Sequence, residues 1–122
     1  MIDTDLRFEL KLEQPLHREY SMCVGDNSLY FRGHFPDHPV LPGVAQLEAI
    51  VLELTLRSWP DIGSLQRIRR LKFRRIVSPN SDLQLTLLRQ KDTQVKFTLK
   101  LAKEQEDCCT GTLCFGERRD VG

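Results

Sequence analysis

Within the stretch "GHFPDHPVLPGVAQLEA", Gly33 to Ala49, a histidine, a glycine beside a proline and a carboxylate lie close together. His34 sits on a segment stiffened by Pro36, Pro39 and Pro42, which disfavour helix in the residues before them. An imidazole titrates near about 6.5, so a histidine held in place suits proton abstraction. Gly43 stands where a helix begins, with its N–H free at the positive end of the helix dipole. Such a donor can hold a developing negative oxygen. Glu48 follows as a possible acid. Together the three suit elimination of water from a 3-hydroxyacyl group. The base takes the proton beside a thioester carbonyl, the helix start polarises that carbonyl, and the acid protonates the departing hydroxyl. Each residue also has a plainer reading: His34 as a cap or packing group, Gly43 as a helix start only, Glu48 as a carboxylate satisfied by an arginine or a backbone donor. Asp37 and His38 extend the pattern to "HxxDH", but the prolines oppose the helix that would align two ligands, and no third ligand follows. No metal or cofactor is expected.

The spacing predicts a helix from Pro42 or Gly43 to about Ser58, stopped by "WPDIG". At about 100° per residue, Gln46, Glu53 and Arg57 share one stripe, the expected water face, with Glu53 and Arg57 as an i,i+4 pair. Glu48 falls on the other side, near Val44, Val51 and Leu52, and is expected to be buried. Burial favours the acid form of a carboxyl, which suits a general acid. Nearly every other position is apolar, so the sheet should wrap the helix.

Alternation predicts strands over Leu6–Leu12, Glu19–Val24 and Ser28–Phe31, with an extended loop over Gly33–Leu41. After the helix come four strand-like runs, "SLQRIRRLKF", "DLQLTLLRQ", "QVKFTLKLAKE" and "CCTGTLCFG", separated by turns such as "SPNSD". The tail "ERRDVG" reads as frayed. Consecutive strands with short links make an antiparallel sheet, and one helix must bury itself against it. Residues 1–122 read as a single α+β domain, in keeping with their number.

A net charge of +1 argues against a dedicated nucleic-acid binder. The four cysteines form neither a CxxC pair nor a zinc spacing and read as buried or half-buried reduced thiols. The N-terminus lacks the basic and apolar regions of a signal peptide, and no apolar run approaches a membrane span. A cytoplasmic location is expected.

"GHFPDHPVLPGVAQLEA" resembles the signature H-F-P-x-x-P-V-x-P-G-V-x-x-x-E/D of the hot-dog-fold 3-hydroxyacyl-[acyl-carrier-protein] dehydratases. A second block, "LKFRRIVSPNSDLQL", resembles that family's "KFRRPVxPGDxL" segment. The upstream "PHRxPFLLVD" segment of the housekeeping enzymes is absent, and the short N-terminus is more similar to the branch found in aryl polyene biosynthesis clusters. The resemblance implies a hot-dog fold, with a long helix inside a curved antiparallel sheet. It implies His34 and Glu48 as catalytic residues, Gly43 as the amide facing the thioester carbonyl, and Phe35, Pro42 and Val44 as further substrate-binding positions. It also implies a homodimer, possibly within a higher oligomer, whose sites each take the histidine from one chain and the acid from the other. The substrate would be a 3-hydroxyacyl group on acyl carrier protein, converted to a trans-2-enoyl thioester.

"RIRRLKFRR" carries six basic residues and no acid. Arg67, Arg69, Arg70, Arg74 and Arg75 are candidates for docking an acidic carrier protein. A solvated edge strand is the plainer reading, and RNA binding a weaker one. Two other functions remain open: a hot-dog thioesterase, and a non-catalytic or partner hot-dog subunit of a dehydratase complex.

Overall fold

The computed structural model describes residues 6–25, 43 and 46–117. Six strands form one antiparallel sheet: β1 (Leu6–Gln14), β2 (His17–Val24), β3 (Leu65–Phe73), β4 (Asp82–Gln90), β5 (Gln94–Leu101) and β6 (Glu106–Phe115). Their order across the sheet is β1-β2-β4-β5-β6-β3, so among the described residues β1 and β3 are the two edges. The expected strand over Ser28–Phe31, the loop over Gly33–Leu41 and the tail after Glu117 lie outside the described residues.

Period-two alternation builds the core. β4 turns Leu83, Leu85 and Leu87 inward and β5 turns Val95, Phe97 and Leu99 inward, all fully buried. Tyr20, Met22 and Val24 of β2 extend the same face, as do Leu113 and Phe115 of β6. Each such side chain contributes about 1.5–3 kcal/mol by leaving water. β5 stops at Leu101, earlier than its sequence run suggests, because residues 102–105 turn and Gln105 takes a left-handed backbone.

The helix lies across this inner face. Residues Gln46–Leu52 are wound as a π-helix, and Glu53–Ser58 continue as the α-helical turns α1. Ile50, Val51, Leu54 and Thr55 are buried against the sheet, whereas Leu56 is exposed. The wrapping expected from the apolar sequence is thus one-sided in the single chain. Two expectations from the α-helical wheel are corrected: Gln46 is buried and Glu48 is exposed. The i→i+5 winding takes up about one more residue per turn than an α-helix. Seven residues then fall short of two turns, and Gln46 no longer shares a side with Glu53. Further on, α geometry resumes and the expected Glu53–Arg57 ion pair forms at 3.0 Å.

The helix end is anchored from several directions. The Trp59 N–H donates to the Thr55 carbonyl, and the Trp59 indole Nε1 donates to the Pro15 carbonyl. The Arg18 guanidinium lies 5.0 Å from the Trp59 ring centroid and donates to the Ser58 carbonyl. Arg89 approaches the same ring at 5.7 Å. Pro60, which disfavours helix in the residue before it, completes the stop.

Candidate active site

Glu48 projects from the third position of the π-helical segment and is exposed. Among the described residues, no ion pair or hydrogen bond occupies its carboxylate. π-helical winding is rare and recurs at functional sites, where the extra residue re-aims a side chain.

Gly43 is helical and half-buried. A Cβ built on it would lie 2.9 Å from two ring carbons of Phe73, the last residue of β3. Glycine is what lets the helix start approach that ring. Sequence reasoning singled out Gly43 but not Phe73. The available signal was a lone aromatic ring, two residues after Leu71, at the end of a strand otherwise dominated by cations. His34, Phe35, Pro42 and Val44 lie outside the described residues, as do Asp37 and His38. Among the described residues, no group of three or more His, Cys, Asp or Glu side chains could hold a metal ion.

Among the described residues β3 pairs only with β6, and of its nine residues only Ile68 is half-buried. Leu65, Leu71 and Phe73 are exposed along it, with Ile76 just beyond. The arginines of the sequence run differ in their surroundings. Arg67 and Arg69 stand opposite Cys114 and Thr112, and Arg70 is a left-handed residue (φ 55°) where the register slips. Arg75 is already ion-paired with Glu106.

Behind Phe73, its ladder partner Cys109 is fully buried and unpaired with any other sulfur. Burial, reinforced by the adjacent Cys108 thiol, pushes the Cys109 thiol up to about 11. All four cysteines are free.

The family model described as the ApeI-like dehydratases matches residues 11–112, a span that contains His34, Gly43 and Glu48. The chain belongs to that family. It is 30% identical to the 3-hydroxyacyl-[acyl-carrier-protein] dehydratase FabZ of Tolumonas auensis, over 97% of this chain and 84% of that one. It is 33% identical to the FabZ of Lactobacillus helveticus, over 73% of this chain and 66% of the relative's length. In fold it matches a chain of the dehydratase heterocomplex ApeI:P from Xenorhabdus doucetiae, with a TM-score of 0.77, 23% identity, and coverage of 93% and 97% of the two chains. The ApeI-like chain is therefore a hot-dog dehydratase of the type that serves fatty-acid or aryl polyene synthesis. Among the described residues, no helix is long and apolar enough to cross a membrane.

Proposed function

We propose that the protein removes water from 3-hydroxyacyl thioesters carried on acyl carrier protein, giving trans-2-enoyl thioesters. The observation that carries this reading is Glu48: an exposed carboxylate with no ion pair or hydrogen bond among the described residues. A second chain closing over the helix would take it out of water and present it to substrate. His34 Nε2 or Nδ1 removes a proton from C2, and the Gly43 N–H stabilises the negative charge developing on the thioester oxygen. Glu48 then donates its proton to the C3 hydroxyl, which leaves as water while the C2–C3 double bond forms. The proton taken by His34 returns to Glu48 through solvent to complete the cycle. Each site combines His34 of one chain with Glu48 of the other.

Carrier docking falls to Arg67, Arg69, Arg70 and Arg74 on and beside β3, with Arg75 contributing less because Glu106 already neutralises it. The direct test is to incubate the protein with a panel of 3-hydroxyacyl carrier-protein thioesters and follow loss of water by mass spectrometry. No mass loss with any of them would end this reading.

The cations along β3 favour a second reading, in which the chain works with a non-identical hot-dog subunit. Antiparallel self-pairing of β3 would crowd Arg67, Arg69, Arg70 and Lys72 of two copies onto one short ladder, and like charges opposed across strands are destabilising. The Xenorhabdus relative is itself part of a heterocomplex. Native mass spectrometry of the purified chain separates the two. A stable homodimer supports the shared-site homodimer, and a monomer supports the mixed assembly.

A further inference from the structure

β1 is the sheet edge opposite β3, and among the described residues it pairs only with β2. Phe8 stands opposite Met22 and Leu10 opposite Tyr20, so both belong to the inner face with the buried side chains of β2. Unlike those, Phe8 and Leu10 remain 40% and 41% exposed. The Phe8 ring is held in place, edge-on to Tyr20 at 6.1 Å between centroids and beneath the Arg57 guanidinium at 5.2 Å. Arg7 and Glu9 occupy the outer row, opposite Cys23 and Ser21. The ladder is regular from Leu6 to Leu10 and slips at Lys11, where a bulge interrupts further pairing.

An edge strand offers unpaired N–H and C=O groups to another strand. The five regular residues read Leu-Arg-Phe-Glu-Leu, a pattern complementary to its own reverse. Antiparallel pairing of two copies centred on Phe8 sets Phe8 against Phe8, Arg7 against Glu9 and Leu6 against Leu10. Every inner pair is then apolar and every outer pair joins opposite charges, the combinations that stabilise adjacent strands. Centring on Arg7 or Glu9 instead would oppose that charge to its own copy. Sliding one strand by a single residue would set an inner row against an outer one. Centring on Leu10 would run the ladder through the bulge. One register satisfies charge, face and ladder together. Little is given up to reach it. Glu9 is held only by Lys11, at 3.1 Å in an exposed ion pair of a kind that contributes little, and Arg7 enters no ion pair among the described residues.

We propose that β1 is an interface between two copies of this chain, in which residues 6–10 pair antiparallel about Phe8 and continue the sheet from one molecule into the next. The two-fold axis passes between the two Phe8 residues, so both inner faces lie on one side and the exposed Phe8 and Leu10 of each copy are covered by the other. This interface uses the edge opposite β3 and is independent of the dehydratase reading.

The test is a charge swap read by analytical ultracentrifugation of the full chain, from about 1 μM to about 1 mM, so that turnover plays no part. Arg7→Glu leaves only acids in the paired outer row, and Glu9→Arg leaves only arginines. Both positions are exposed, and circular dichroism with thermal melting confirms that each variant folds. The wild type should self-associate, and either single variant should weaken that association by about 10-fold or more. Arg7→Glu/Glu9→Arg exchanges the charges within the same register and should return the affinity towards that of the wild type. The two single variants, mixed, should associate with each other more tightly than either does with itself, because acids then face arginines. Damage to the fold of one chain would produce neither recovery. Association that both single variants leave unchanged overturns the proposal and assigns the contact to another surface, such as one closing over the helix. A wild type that stays monomeric over this range overturns it as well, whether the edge goes unused or pairs with a different chain. So does weakening in the single variants that neither the double variant nor the mixture reverses.

Discussion

Gly43 and Phe73 are in contact across the junction of helix and edge strand, and a Cβ at Gly43 would stand 2.9 Å from the ring. The ring is the far end of a flexible side chain and is half exposed, so it can swing aside. Gly43→Ala should therefore lower the melting temperature only slightly. The same displacement moves the helix-start N–H relative to a bound thioester. Turnover should fall by about 10²-fold, the order expected when an oxyanion donor is lost. Normal kinetics in the folded variant would show that the Gly43 amide does not face the carbonyl.

His34→Ala and Glu48→Gln should each fold normally and lose turnover, by roughly 10²-fold or more for the general acid. If sites are shared between two chains, mixing the two inactive proteins restores activity. Random exchange makes about half the dimers mixed, and each mixed dimer holds one intact site. Recovery should approach about a quarter of wild-type activity. Confirmed subunit exchange with no recovery would place both residues of a site on the same chain.

The strand pattern was legible because alternation and burial coincide. Leu83, Leu85 and Leu87 announce an inner face in sequence and occupy one in space. β1 to β6 and the order of elements follow from such runs. The helix faces were not legible, because a wheel of fixed pitch carries no information about a local π-wound turn. Gln46 and Glu48 were exchanged for that reason alone. A groove lined by Arg70, Lys72 and Lys96 was hidden for another. Lys96 is distant from Arg70 and Lys72 in sequence, and only strand pairing through β6 brings them to one concavity. Composition showed a basic run but not that Arg75 is neutralised by Glu106.

The clamp around Trp59 should matter for stability and not for chemistry. Trp59→Phe keeps an aromatic ring but removes the Nε1–H bond to the Pro15 carbonyl and weakens the stacking of Arg18 and Arg89. The loss should be about 1–2 kcal/mol, seen as a fall of about 4 °C or more in the melting temperature. Activity per folded molecule should stay within about twofold of wild type. A large drop in kcat at unchanged melting temperature would mean the helix end controls the position of Glu48.

Cys109 makes the fold sensitive to alkali. Its thiol has an ordinary value of 9.0 and is pushed up to about 11, by burial first and by the neighbouring Cys108 second. Between those values the unfolded chain has released the proton while the folded chain keeps it. Stability must then fall as pH rises through that window, and below it the contribution is constant. Cys108 is shifted in the same direction, again mainly by burial, and adds to the slope. The expected result is a melting temperature that is flat in this contribution up to about pH 9 and declines towards pH 11. Other groups titrate there too, so the informative quantity is the difference from Cys109→Ala, measured at each pH. That variant leaves a small cavity and should start from a lower melting temperature, yet lose less of it on the way to pH 11. Parallel decline of the two proteins would show that the Cys109 thiol titrates alike in the folded and unfolded chains.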